Sequence, residues 1–153
     1  HLFDSHSDDG AFAVRFGDGR WCAARLWAAS PAADVAVLRR VGAAAGDATA
    51  GDAPQRWPLQ LDTGQPLPRQ GEQVAVCGAT QHGIEAVGLV GVVSQPRQAF
   101  QGLVEEAPTR FVQVALPTLP GMSGSPVLAG DGRVVAMLAK KFEEHGLALP
   151  AAM

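Results

Sequence analysis

An all-β fold made of two small lobes is predicted for this chain of 153 residues. Short runs rich in Val, Leu and Ala recur along the sequence and are bounded by Gly, Pro, Asp or Ser, whereas long amphipathic segments are missing. Gly-Asp-Gly at 17–19 and at 130–132 is typical of tight hairpin turns. Residues 41–58 are dominated by Ala, Gly, Asp and Pro, which predicts a loop or linker between the lobes.

Nine strands follow from this punctuation, taken in chain order. In the first lobe, strands are predicted over 11–16, 20–28 and 34–39. In the second lobe, strands are predicted over 73–78, 84–94, 110–116, 126–129, 133–139 and 146–149. Short strands at this spacing favour a β-sandwich or a barrel.

Composition excludes several classes of partner. The net charge of −3 gives no reason to expect nucleic acid, and the basic pairs Arg39-Arg40 and Lys140-Lys141 are interpreted as solvated strand ends. No apolar run reaches the roughly 18–20 residues of a membrane helix. Histidines are not paired at metal-ligand spacing, so no metal is predicted. Cys22 and Cys77 lie in apolar runs, which predicts two buried, reduced thiols rather than a disulfide.

One segment has the character of a nucleophile turn, namely Pro120-Gly121-Met122-Ser123-Gly124-Ser125-Pro126. A serine between glycines can be exposed on a tight turn that a substrate carbonyl can approach closely. The backbone N–H groups of Gly121 and Ser123 are then expected to form an oxyanion hole. The alternative is a purely structural turn, which Gly, Ser and Pro also favour.

This segment resembles the nucleophile region of the HtrA/Deg-like proteases, which have a trypsin-type domain. Residues 111–113 also match that region, 130–137 are similar to its next hairpin, and 146–150 resemble its closing strand. Upstream, residues 34–38 match the segment that carries the family's aspartate. The resemblance covers nearly the whole chain in collinear order. It implies two six-stranded-type antiparallel barrels of the chymotrypsin/trypsin fold, the first lacking its N-terminal strands.

The same resemblance implies a catalytic triad in the order His, Asp, Ser, which would be His1, Asp34 and Ser123. In this division of labour the aspartate orients the imidazole, which takes the serine proton and passes it to the leaving amine. His1 could instead be a tag remnant or a frayed terminus, and Asp34 could merely cap a turn after Pro31.

The resemblance also places a substrate pocket. Its walls are expected from Leu116, Pro117 and Thr118 and from the strand containing Leu138 and Ala139. Because none of these side chains is acidic, the pocket is expected to be apolar and to prefer a small or medium aliphatic residue before the scissile bond. Met122 and Ser125 depart from the family's usual residues at their positions.

The sequence therefore predicts a single trypsin-like domain over 1–153, with first-barrel residues 1–45, a linker over 46–70 and a second barrel over 71–153. It would be a serine endopeptidase that acts on polypeptides without a cofactor. The alternative is an inactive pseudoprotease that binds peptides or proteins. An upstream segment, a separate cleaved piece or a homo-oligomer is expected to complete the first barrel, or the barrel stays incomplete. The family's peptide-binding module would follow residue 153, and the resemblance favours a secreted or periplasmic location.

Overall fold

The structure is a computed structural model that divides into two compact units, residues 1–57 and residues 58–153. It describes residues 11–15, 21–31, 34–41, 59–61, 64, 66–80, 87–99, 110–142 and 145–151. Among the residues it describes, there is no helix with the length and apolar character needed to cross a lipid bilayer. The predicted turn at 17–19 and most of the predicted linker lie outside the described residues.

The first unit contains a three-stranded antiparallel sheet in the order β1-β2-β3. Its strands are β1 (Ala11–Arg15), β2 (Trp21–Ser30) and β3 (Val35–Arg40). The register changes between Leu26 and Ala28, which leaves Trp27 in a β-bulge. The sheet is what remains of a first barrel in the described part of the chain.

The second unit is a closed barrel of six strands, in the order β4-β5-β6-β9-β8-β7. The strands are β4 (Gln73–Gly78), β5 (Val87–Ala99), β6 (Arg110–Ala115), β7 (Pro126–Ala129), β8 (Val134–Phe142) and β9 (His145–Pro150). All its pairings are antiparallel. Closure removes the unpaired edges that an open sheet would present to other chains.

The core of the barrel consists of inward-facing residues from nearly every strand. Val76, Val112, Val114 and Val127 are fully buried, as their alternation with more exposed neighbours requires. Burial of a side chain of this kind stabilises the fold by about 1.5–3 kcal/mol. Met122 belongs to the same cluster although it lies in a loop, and this ties the loop to the core.

The hairpin between β7 and β8 forms at the predicted Gly-Asp-Gly turn. The Gly132 N–H donates to the Ala129 carbonyl across 2.9 Å, with φ of 85° at Gly132. The Asp131 carboxylate pairs with the Arg133 guanidinium at 2.7 Å. Hydrogen bonding from Arg133 lowers the pKa of this exposed carboxyl.

The all-β architecture is confirmed, and each of the nine predicted strands has a counterpart. The largest difference is in β5, which continues beyond the predicted end at Ser94 as far as Ala99. Pro96 is tolerated there because the register with β6 shifts between Gln95 and Gln98. A proline at such an irregularity removes no ladder hydrogen bond.

The cysteine prediction is only partly right. Both thiols are reduced, but Cys22 is half-buried and Cys77 is exposed rather than buried. Cys77 lies next to the buried Val76 in β4, and alternation along a strand turns it to the opposite side.

Candidate active site

The predicted nucleophile segment folds as two consecutive β-turns that share Met122. The Met122 N–H donates to the Leu119 carbonyl across 3.2 Å, and the Ser125 N–H donates to the Met122 carbonyl across 3.0 Å. Gly121 and Gly124 occupy the third position of each turn, with φ of 94° and 87°. Turns with positive φ at this position are type II turns, which select glycine there. The glycine spacing noted in the sequence therefore has a backbone reason.

Ser123 lies between the two glycines and is exposed. Its Oγ donates a hydrogen bond to the Ala139 carbonyl at 3.0 Å. The hydroxyl is therefore accessible to a substrate and already oriented by one acceptor.

The turns are fixed to strand β8 beneath them. The Gly124 N–H donates to the Leu138 carbonyl at 2.7 Å, and the Leu138 N–H donates to the Ser125 carbonyl at 2.8 Å. The Met122 side chain adds an anchor, since it is fully buried in the core cluster. An exposed serine thus stands on a segment that is bonded on one side and packed on the other.

The acceptor of the serine hydroxyl arises from a β-bulge. The pairing of β8 with β9 shifts between Leu138 and Lys140, which leaves Ala139 without a partner in the ladder. A bulged residue bends its strand and re-aims its backbone groups. No residue type in this stretch signals a bulge, so the sequence did not predict that the Ala139 carbonyl would meet Ser123.

Two backbone donors beside the serine are available to a ligand. Within the part of the chain that the structure describes, the N–H groups of Gly121 and Ser123 donate to no protein acceptor, although their neighbours Met122, Gly124 and Ser125 all do. Unsatisfied N–H groups at an exposed turn are what an oxyanion hole requires. The assignment of the hole to these two residues stays a prediction.

Asp34 ends the turn that leads into β3. Its N–H donates to the Pro31 carbonyl at 3.0 Å, and its φ is 54°. Asp and Asn are the side-chain-bearing residues that adopt this left-handed conformation most readily. The residue thus closes a turn after Pro31, as the structural alternative expected, and this leaves its carboxylate exposed at the start of a strand. Its predicted partner His1 lies outside the described residues, and the pairing stays a prediction.

The predicted pocket residues divide into buried and exposed members. Leu116 and Leu138 belong to the barrel's core cluster, Thr118 is buried, Pro117 is exposed and Ala139 is half-buried. Among the described residues, the Thr118 Oγ1 has no hydrogen-bond partner.

Gly146 brings two of these residues together. A Cβ at Gly146 would lie 2.8 Å from Leu138 Cδ1, 2.8 Å from Thr118 Cγ2 and 3.0 Å from Val114 Cγ2. Such distances are too short for a real side chain, so the glycine allows the two walls to approach. The pocket assignment itself stays a prediction.

Gly78 is a positioning residue that the sequence did not reveal. A Cβ on Gly78 would overlap the Ser125 Oγ and would lie 3.0 Å from the Ser125 Cβ. The end of β4 therefore supports the nucleophile turn through direct contact with Ser125. A glycine closing an apolar strand carries no distinctive signal, because strands often end at glycine.

The fold and this turn define a class of protein. The family model for the trypsin-like peptidase domain matches residues 1–137, and the chain belongs to this family. None of the curated proteins matches the chain in a sequence comparison.

Solved structures with the same fold include three from two proteases. The HtrA-type protease AlgW with a decapeptide superposes with a TM-score of 0.73 at 21% identity, covering 92% of this chain and 40% of that one. Its serine-to-alanine variant, also with a decapeptide, gives 0.71 at 21% identity with the same coverage. Rv3671c from M. tuberculosis H37Rv, a serine-to-alanine mutant in an inactive form, gives 0.70 at 19% identity, covering 91% of this chain and 64% of that one. The chain spans well under half the length of AlgW.

Proposed function

We propose that this chain is a serine endopeptidase domain that hydrolyses peptide bonds through an acyl-enzyme. The observation that carries the proposal is the exposed Ser123 hydroxyl on two type II turns, beside N–H groups of Gly121 and Ser123 that have no acceptor in the described protein. A merely structural turn gains nothing from this combination.

The reaction begins at the serine hydroxyl. Ser123 Oγ exchanges the Ala139 carbonyl for the imidazole of His1, gives up its proton and forms a bond to the scissile carbonyl carbon. The carbonyl oxygen becomes an oxyanion that the Gly121 and Ser123 N–H groups stabilise, each donor being worth roughly 3 kcal/mol. The carbon–nitrogen bond then breaks, the amine leaves with the proton from His1, and water hydrolyses the ester.

Asp34 is assigned the orienting role. Its exposed carboxylate accepts from the imidazole of His1, which holds the reactive tautomer and stabilises the imidazolium formed during attack. Support comes from its position, since the turn from Pro31 presents the carboxylate at the first residues of β3.

An extended polypeptide is the substrate class that β8 favours. Strand β7 pairs with β8 only as far as Met137, whereas β8 continues to Phe142. Beyond Leu138, the described residues place no strand on that side of β8, and the Ser123 hydroxyl lies there. A peptide added along this edge would gain main-chain hydrogen bonds beside the nucleophile. The structure of AlgW with a decapeptide supports a polypeptide ligand.

The residue before the scissile bond is proposed to be small or medium and aliphatic. Leu116, Thr118, Leu138 and Ala139 carry no charge that could receive a basic side chain, and the burial of Leu116, Thr118 and Leu138 leaves little depth. Cleavage after Arg in preference to Val, Ala or Leu would contradict this specificity.

A second candidate is a domain of the same fold that binds peptides without cutting them. The hydrogen bond from Ser123 to the Ala139 carbonyl favours it, because a hydroxyl retained by that acceptor is not activated by a base. The open side of β8 would serve such a binding role equally well.

Covalent labelling separates the two candidates. The wild-type chain and Ser123→Ala would be incubated with a fluorophosphonate and measured by intact mass. A single adduct on the wild type, absent from Ser123→Ala, is expected for the endopeptidase. A folded wild type without an adduct would contradict the endopeptidase and favour peptide binding alone.

A further inference from the structure

We propose that the outer face of the three-stranded sheet binds anionic phospholipid surfaces. This face, hereafter the Arg–Trp face, consists of Arg15, Trp21, Arg25, Trp27 and Arg39. The inference does not depend on the proposed peptidase activity, because it concerns a different unit of the chain.

The strand register places these residues on one side of the sheet. Arg15 lies opposite Trp21 in the pairing of β1 with β2, and Arg25 lies opposite Arg39 in the pairing of β2 with β3. Directly opposed residues share a face, as do alternate residues of one strand. The Arg39 guanidinium lies over the Trp27 ring at 5.2 Å from its centroid, so the bulged Trp27 joins the same side.

The other side of the sheet has the opposite character. Phe12, Val14, Cys22 and Leu38 are half-buried there, and Ala24 is almost fully buried. This is the apolar side that a barrel turns inward, which makes the Arg–Trp face the outward one.

Two features of the outward face exceed what a solvated surface needs. Trp21 and Trp27 are 66% and 65% exposed, although indoles are among the costliest side chains to leave in water. Arg25 and Arg39 are directly opposite each other, an arrangement of like charges that destabilises a sheet. Strands β1, β2 and β3 contain four Arg and neither Asp nor Glu, so they supply no compensating carboxylate.

Charge therefore calls for an anionic ligand. Among the described residues, neither Arg25 nor Arg39 has a carboxylate within ion-pair distance. Guanidinium groups bind phosphate through two parallel hydrogen bonds, and stacking on Trp27 holds that of Arg39 in place. A phosphate between Arg25 and Arg39 would relieve their mutual repulsion.

The arrangement of the indoles favours a lipid surface over a protein. Trp21 and Trp27 are six positions apart on β2, which separates them by about 20 Å along the strand. Anchor residues of protein–protein interfaces instead cluster near the centre of the contact. Tryptophans spread over a flat cationic face suit the headgroup layer of a bilayer, where indole rings are enriched beside lipid phosphates.

The test measures co-sedimentation of the full chain with vesicles of phosphatidylglycerol and phosphatidylcholine, and with vesicles of phosphatidylcholine alone. Binding is expected only to the anionic vesicles and should weaken as salt is added, because salt screens the attraction. Arg25→Gln and Arg39→Gln should each weaken binding about five-fold, the loss expected for one cation near an anionic bilayer. Trp21→Ala should also weaken it, and a blue shift of tryptophan emission should accompany binding.

Arg97→Gln is the matched control, since Arg97 is an exposed arginine of β5 in the other unit. It should bind like the wild type, and circular dichroism would verify that every variant is folded. The proposal is overturned if anionic vesicles do not bind at low salt, or if Arg97→Gln loses as much as Arg25→Gln. Binding of polyglutamate that vesicles cannot displace would also overturn it, in favour of an acidic protein partner.

Discussion

The two units frame their predicted catalytic residues in opposite ways. Ser123 stands on a closed barrel, where backbone hydrogen bonds tie its turn to β8 and the buried Met122 ties it to the core. Asp34 lies at the start of β3 in a sheet of three strands whose only almost fully buried side chain among those described is Ala24. The nucleophile is therefore preorganised by its own unit, whereas the orienting carboxylate depends on a much smaller core.

The largest effect should come from the sheet. Asp34→Asn should reduce kcat by about 10⁴-fold, since an amide cannot hold the imidazole in its reactive tautomer. Asn tolerates the positive φ of this position, so the fold should be retained. Peptide hydrolysis measures the loss, and Asp131→Asn, which changes an exposed carboxylate in the β7–β8 turn, is the control. An Asp34→Asn variant with wild-type kcat would leave Asp34 a structural turn residue.

Hydrogen exchange tests the comparison of stability directly. Amides of β4 and β6, which pair on both sides around a buried core, should exchange roughly 10³-fold more slowly than amides of β1 and β3. Mass spectrometry of peptides from the two units would measure it. Equal protection in both units would mean that they open together, and the contrast drawn above would be wrong.

On the barrel side, Gly78→Ala should reduce kcat/KM about 10²-fold, the cost of displacing a catalytic group by about 1 Å. The added Cβ overlaps Ser125 Oγ and must push the nucleophile turn away from β4. Gly88→Ala is the matched control, because a Cβ there meets only Cys77 Sγ at 3.9 Å.

Ser125→Gly supplies the complementary variant for this position. Removal of the Ser125 side chain makes room for the methyl group that Gly78→Ala adds, so the double variant should regain most of the lost activity. Failure of this rescue would show that Gly78 acts through something other than Ser125.

The smallest effect concerns specificity. Gly146→Ala narrows the space between Leu138 and Thr118, and should shift the ratio of kcat/KM values towards Ala over Leu before the scissile bond by about ten-fold. Matched peptide substrates would measure the ratio. Gly130→Ala, where a Cβ meets open space, controls for a general glycine effect. An unchanged ratio would place the specificity pocket elsewhere.

Local signals predicted the fold well and the site only in outline. Turn glycines and β-branched runs lie close together in sequence, so nine strands, the 130–132 hairpin and the exposed serine turn could be predicted. The Ala139 bulge and the contact of Gly78 with Ser125 join segments that are distant in sequence, and neither depends on a distinctive residue type. The Arg–Trp face was missed because Arg15, Arg25 and Arg39 come together only through strand register.

The central claim is that residues from these two unlike units act as one catalytic group. The most direct measurement is kcat/KM of the wild type, Ser123→Ala, Asp34→Asn and the double variant on one aliphatic peptide substrate. Groups that act as a unit give losses that do not add, so the double variant should be no slower than Ser123→Ala alone. If the two losses multiply in the double variant, Asp34 and Ser123 do not work together and the account is contradicted.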